Sequence, residues 1–197
     1  MYSFTIEHAQ NDGSALWELQ CFLLSQCESV FGLKAHDKEI YQPHFNASGI
    51  SSDKDQPHIL VFPEGAKAVL SNNARTYWPT TFYELAHETV HLLNPITGYA
   101  NYLEEGMAVY FSVQMSQLHT NHAMSPTCPF YIHAQQLVQQ LPYGVYESGR
   151  IIREQCGSFG AATSDSLLSL FPQLDPEVAD ALCRECNFRE QETKVSK

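Results

Sequence analysis

Apolar residues recur every three to four positions through most of this chain, and alternate one by one only in short stretches of its first half. Leu16, Leu19, Leu23 and Val30 fall at helical spacing across residues 14–31, with Gly32 as the stop. Tyr2-Ser3-Phe4-Thr5-Ile6 alternates like a short strand. His58-Ile59-Leu60-Val61-Phe62 predicts a second strand, which Pro63-Glu64-Gly65 turns towards residues 66–70. The stretch 41–57, rich in Ser, Asp, Pro and Gln, predicts a loop, and residues 73–77 are a candidate edge strand. Later positions read as helices at about 101–119, 129–141, 146–156, 164–171 and 175–186. No repeat and no long linker interrupts the pattern, so residues 1–187 are expected to form one domain, with the polar residues 188–197 frayed. The expected class is α+β, a short and mostly N-terminal sheet packed on a predominantly helical body.

One further helix, about 82–93, carries chemistry. Thr81 reads as its N-cap with Glu84 reaching back, Phe82, Leu85, Ala86, Val90 and Leu93 mark its apolar side, and Asn94-Pro95 ends it. Within it stands His87-Glu88-Thr89-Val90-His91, an H-E-x-x-H pattern. On a helix, residues four apart share a face, so both imidazoles can ligate one metal ion while Glu88 stands beside the same opening as a general base. The plain alternative is a surface helix with two solvated histidines.

A catalytic zinc needs a third protein ligand and one open position. The next helix opens Asn101-Tyr102-Leu103-Glu104-Glu105-Gly106-Met107-Ala108-Val109-Tyr110, which puts carboxylates in its first turns. Glu104-Glu105-Gly106-Met107-Ala108-Val109-Tyr110 resembles the N-E-G-x-A-x-Y segment of the gluzincins, zinc peptidases whose third ligand is a glutamate, and in particular their aminopeptidase-like branch. The resemblance covers roughly residues 80–140 and implies a zincin-like fold, a Zn2+ cofactor and His87, His91 and Glu105 as ligands. Glu104 stands where the family usually has Asn, and the thirteen residues between His91 and Glu105 are fewer than the aminopeptidases have. Gly106 and Ala108 are small enough to let the two metal-binding helices approach closely.

The resemblance also implies a phenol that donates to the oxyanion formed during peptide hydrolysis. Phe130-Tyr131-Ile132-His133-Ala134 is similar to the family's Y-x-K-G-x motif, with Tyr131 at the tyrosine position and His133 and Ala134 replacing Lys and Gly. Tyr143, Tyr146, His122 and His133 compete for that role, and Tyr131 can equally be an ordinary amphipathic residue at a helix start. Nothing reproduces the G-x-M-E-N segment that binds the substrate amine in aminopeptidases. Glu84 and Glu104 are the nearest acidic residues in sequence that could orient a ligating histidine.

Composition narrows the remaining classes. At 197 residues and 44% hydrophobic content, the chain can bury a sizeable core. A net charge of −11 argues against a nucleic-acid surface. No run reaches the length of a membrane span, and residues 1–20 lack the basic start and apolar core of a secretory signal, so a cytoplasmic location is expected. The six cysteines are scattered and read as free thiols, with Cys21 and Cys27 as small buried hydrophobes. Cys183-Arg184-Glu185-Cys186 is a C-x-x-C with no second pair beside it. The expected activity is zinc-dependent hydrolysis of a peptide or protein substrate by a metal-activated water, with Glu88 as base. A zinc-containing binding or sensing protein on the same scaffold is the alternative, and a metal-free structural domain is a third reading.

Overall fold

Helix α1 (Gly13–Phe31) forms on the spacing expected of it and buries Leu16, Leu19, Leu23, Cys27 and Phe31. The Asp12 side chain accepts a 2.9 Å hydrogen bond from the Ala15 amide at its start. Gly32, at φ 88°, ends it in a left-handed conformation that strains any residue with a Cβ. Cys21 is exposed rather than buried, because six positions along a helix place it about 120° round the axis from Cys27. These features come from a computed structural model that describes residues 1–52 and 54–186. The tail expected at 188–197 lies outside the described residues.

Among the described residues the sheet has four short strands, β1 (Glu39–Ile40), β2 (His44–Phe45), β3 (His58–Val61) and β4 (Gly65–Leu70). Strand β4 is its centre. Both β1 and β2 pair with it in parallel, Glu39 opposite Gly65 and His44 opposite Val69, while β3 pairs with it antiparallel, His58 opposite Val69. The predicted β3–β4 turn is present, closed by hydrogen bonds of 2.7 and 3.3 Å between Phe62 and Gly65. Enclosed along its length, β4 buries five of its six residues.

Three local expectations differ from what forms. Residues 2–6 do not pair as a strand: Tyr2 and Phe4 turn inwards, the Phe4 ring stacking on Trp78 at 5.6 Å and the Tyr2 ring lying 5.1 Å from Phe22. The alternation was real, but it faces an aromatic cluster instead of a neighbouring strand. The candidate edge strand at 73–77 is mostly a 3-10 turn, Asn72–Thr76. Polar side chains hold that turn: Asp55 accepts from the Asn72 amide at 2.9 Å, and Arg75 Nε donates to Asn72 Oδ1 at 2.6 Å. The expected loop 41–57 contains β2, whose two residues form a strand only because β4 offers a pairing edge.

The remaining helices are α2 (Trp78–His91), α3 (Tyr102–His119), α4 (Pro129–Val138), α5 (Val145–Cys156), α6 (Ser164–Leu170) and α7 (Pro176–Cys183). With the sheet they make an α+β fold. The chain divides into two compact units, Met1–Ile96 with Tyr110–Ser125, and Thr97–Val109 with the chain from Pro126. In the first, α1 and the sheet pack on α2 around Leu19, Leu23, Leu70, Phe82, Leu85 and Phe111. In the second, α4, α5, α6 and α7 pack around Leu137, Val138, Ile152, Leu167, Phe171 and Leu182. Among the described residues no helix is long and apolar enough to cross a membrane.

Candidate metal centre

Helix α2 starts earlier than its sequence suggests. Pro79 lies in its first turn, where a missing N–H costs nothing, and Tyr77 takes the capping position without a side-chain hydrogen bond. Thr81, expected as the cap, instead donates from Oγ1 to the Ala74 carbonyl at 2.6 Å from inside the helix. Glu84 does not reach back to it. Its carboxylate accepts from the Ser71 amide at 2.8 Å and from the Ser71 hydroxyl at 2.6 Å, joining the exit of β4 to α2.

From this helix the two imidazoles converge. The rings of His87 and His91 lie 5.1 Å apart by centroid, with their Nε2 atoms 3.3 Å apart. Two nitrogens each 2.0–2.1 Å from one tetrahedral ion are separated by about 3.3 Å, so the spacing found is the one such an ion requires. Glu105 completes the group: one ligand atom from each of the three residues lies within 4.8 Å of the others. His87, His91 and Glu105 are 6%, 8% and 8% exposed, and Glu88 is 3% exposed. Two imidazoles and a carboxylate fit a divalent ion that prefers mixed nitrogen and oxygen donors.

Glu105 is presented by the first turns of α3. Asn101 caps that helix, its Oδ1 accepting from the Glu104 amide at 2.9 Å and its carbonyl from the Glu105 amide at 3.1 Å. This cap went unread in the sequence, although an Asn three residues before a Glu is a helix-start signal. A Cβ on Gly106 would meet the Ala134 carbonyl oxygen and Val138 Cγ1, each at 2.5 Å. The small residue therefore makes room for the approach of α4. A second unread tie is a hydrogen bond between Tyr83, one turn before His87 on α2, and Ser112 on α3. Burial raises the Tyr83 phenol, and that hydrogen bond partly offsets the rise.

The other named candidates fall in different places. Tyr131 is half-buried on α4, one turn before Ala134 and on the same side, and Ala134 meets Gly106, the residue next to Glu105. His122 accepts or donates a 2.5 Å hydrogen bond with the Tyr77 hydroxyl at the start of α2. Ten residues of helix, about 15 Å, separate that end from His87, which removes His122 from the centre. His133 sets its ring against Tyr102 at 5.5 Å, and Tyr143 sets its ring against Phe171 at 5.8 Å. Tyr146 is half-buried in the first turn of α5.

Burial dominates the electrostatics around the group. It holds the Glu84 carboxyl up at about 7; the Ser71 hydrogen bonds pull the other way, and the charges of Glu88 and Asp55 add to the rise. The C-x-x-C thiols are pushed up by burial too, Cys183 to about 11 and Cys186 to about 12, with Asp180 adding at the first and Glu105 at the second. A thiol held so high is a poor metal ligand and nucleophile. No disulfide joins any of the six cysteines, and among the described residues His87, His91 and Glu105 form the group that could hold a metal. No protein-family model matches the chain, and neither a curated protein nor a solved structure does.

Proposed function

We propose that the protein is a zinc-dependent peptidase that resembles the gluzincins, with His87, His91 and Glu105 as the metal ligands. The carrying observation is the convergence of the two Nε2 atoms to 3.3 Å with a Glu105 oxygen beside them and the buried carboxylate of Glu88 on the same helix. A divalent ion held by these three residues would supply Lewis acidity to a substrate carbonyl and to the attacking water. Glu88 takes a proton from the attacking water and returns it to the leaving nitrogen, acting first as base and then as acid. Tyr131 donates its phenolic hydrogen to the oxyanion that develops on the carbonyl oxygen. Zinc suits two imidazoles and a carboxylate better than magnesium or calcium, which favour oxygen-only ligand sets. The substrate is a peptide or protein.

Glu88→Gln tests the reading. It keeps the shape of the side chain and removes its basicity. Hydrolysis of a peptide library should fall to background while elemental analysis still finds about one zinc per chain, because the ligands are untouched. Full activity in that variant, or purified parent protein without zinc after growth in zinc-supplemented medium, sinks the proposal.

The burial of all three ligands favours one second reading, a zinc-containing binding or sensing protein with little turnover. The two readings separate on a small hydroxamate, which should bind the zinc-loaded protein if a coordination position is open and fail to bind if it is closed.

A further inference from the structure

We infer that Asn101 is a positioning residue for the metal ligand Glu105, acting through both ends of its side-chain amide. The inference rests on the metal-centre reading and goes beyond it, since Asn101 belongs to no motif that marks the centre.

A ligand in the first turns of a helix has a weakness. The first amides of a helix have no partner inside it, and an unrestrained first turn frays. Glu105 is four residues past the cap, so the direction of its carboxylate depends on how firmly that turn is held. Asn101 holds it from the inside through its capping oxygen, which accepts from the Glu104 amide at 2.9 Å. The same side chain reaches outwards with its other end. Its Nδ2 donates to the Phe159 carbonyl at 3.1 Å, in a buried hydrogen bond spanning 58 residues of sequence. The backbone around it is fixed as well: the Tyr102 amide donates to the Arg184 carbonyl at 2.9 Å and the Cys186 amide to the Ala100 carbonyl at 2.8 Å, making an antiparallel bridge between Asn101 and Glu185. Phe159 is itself pinned, with the buried Arg153 guanidinium 6.0 Å over its ring.

The choice of residue separates positioning from simple capping. Ser, Thr and Asp cap a helix about as well as Asn, and Asp also suits the positive end of the helix dipole. An ionised Asp has no donor, and a Ser or Thr hydroxyl must accept and donate through one short-reaching oxygen, whereas an amide divides the two roles between Oδ1 and Nδ2. An Asp would turn a carboxylate oxygen towards the Phe159 carbonyl in a site only 8% exposed. Asn101 is thus the side chain that fits both partners, and it makes the metal ligand's direction depend on the segment around Phe159.

The test uses the full chain, stripped of metal and titrated with Co(II), whose visible spectrum reports ligand geometry. Asn101→Ser keeps a capping oxygen and loses the outward hydrogen bond. Thr163→Ala removes an equivalent cap from α6, where the Thr163 side chain accepts from the Ser166 amide away from any ligand. Outer partners of metal ligands typically change affinity 10- to 100-fold, so Asn101→Ser should bind Co(II) at least about tenfold more weakly, with an altered spectrum. Thr163→Ala should bind like the parent even where its thermal midpoint drops. Should Asn101→Ser fail to fold by circular dichroism, Asn101→Thr, which also keeps a capping oxygen, gives the same comparison. Parent-like affinity and spectrum in the Asn101 variant overturn the inference and leave the metal centre standing. Equal weakening in the Thr163 variant also overturns it, since the effect is then general destabilisation. A parent protein that binds no Co(II) overturns the metal centre and this inference together.

Discussion

Tyr131 is where a residue-scale prediction separates turnover from metal binding. A phenol that meets an oxyanion acts mainly in the transition state, so its loss lowers kcat more than substrate affinity. Tyr131→Phe keeps the half-buried ring and removes only the hydroxyl. Peptide turnover should fall about a hundredfold to a thousandfold with zinc content unchanged. Steady-state kinetics on a cleaved library peptide, with metal analysis on the same sample, checks this. Undiminished kcat would transfer the role to another donor. At this scale the sequence was most informative where chemistry demands an unusual pattern: His87 and His91 are named by their spacing and Glu105 by the gluzincin resemblance, and one ligand atom of each lies within 4.8 Å of the others. It was least informative where a side chain takes a distant partner, as Asn101 does with Phe159 and Tyr83 with Ser112.

At the scale of elements, the joint between β4 and α2 carries a pH dependence. The Glu84 carboxyl, bonded to Ser71 beyond the end of β4, titrates at about 7 in the folded protein against an ordinary 4.5. Between those values the folded chain keeps a proton that the unfolded chain has released. The contribution is therefore fully present below about pH 4.5 and is lost as pH rises through about 7. The shift amounts to about 3 kcal/mol. Glu84→Gln imitates the protonated carboxyl at every pH and can still accept from the Ser71 amide. In urea denaturation of the metal-free proteins, its stability relative to the parent should rise by about 3 kcal/mol between pH 4 and pH 8. A difference that is flat with pH would show that the joint does not titrate. Comparing variant with parent cancels the histidines that titrate in the same window. The same joint explains why the start of α2 was misread: Glu84 had the spacing of a capping residue, but Ser71 occupies both of its oxygens.

For the molecule as a whole, metal removal should cost stability, because the proposed ligands come from α2 and α3 and an ion bound only by the folded form stabilises it by mass action. At free zinc a hundredfold above its dissociation constant this is about 2.7 kcal/mol. A chelator should lower the thermal midpoint of the parent, and added zinc should restore it. His91→Ala should show neither response. A parent midpoint indifferent to both treatments would count against a metal centre in this fold.

The sequence by itself determined what depends on near neighbours. Helical periodicity is local, and α1 together with the later helices α3 to α7 appeared within a few residues of their expected positions. The H-E-x-x-H pair is local as well, because four residues of helix suffice to align two imidazoles. Tertiary structure decided whatever needed a partner far along the chain. Strands β1 and β2, two residues each, exist only against β4. The alternating start of the chain found rings to pack on instead of a strand, and Gly106 proved to make room for α4. The two histidines are joined by one turn of one helix, which sequence specifies. Glu105 stands on another helix, and no spacing along the sequence connects it to them; Asn101, which caps that helix, takes its own buried hydrogen bond from a residue far along the chain.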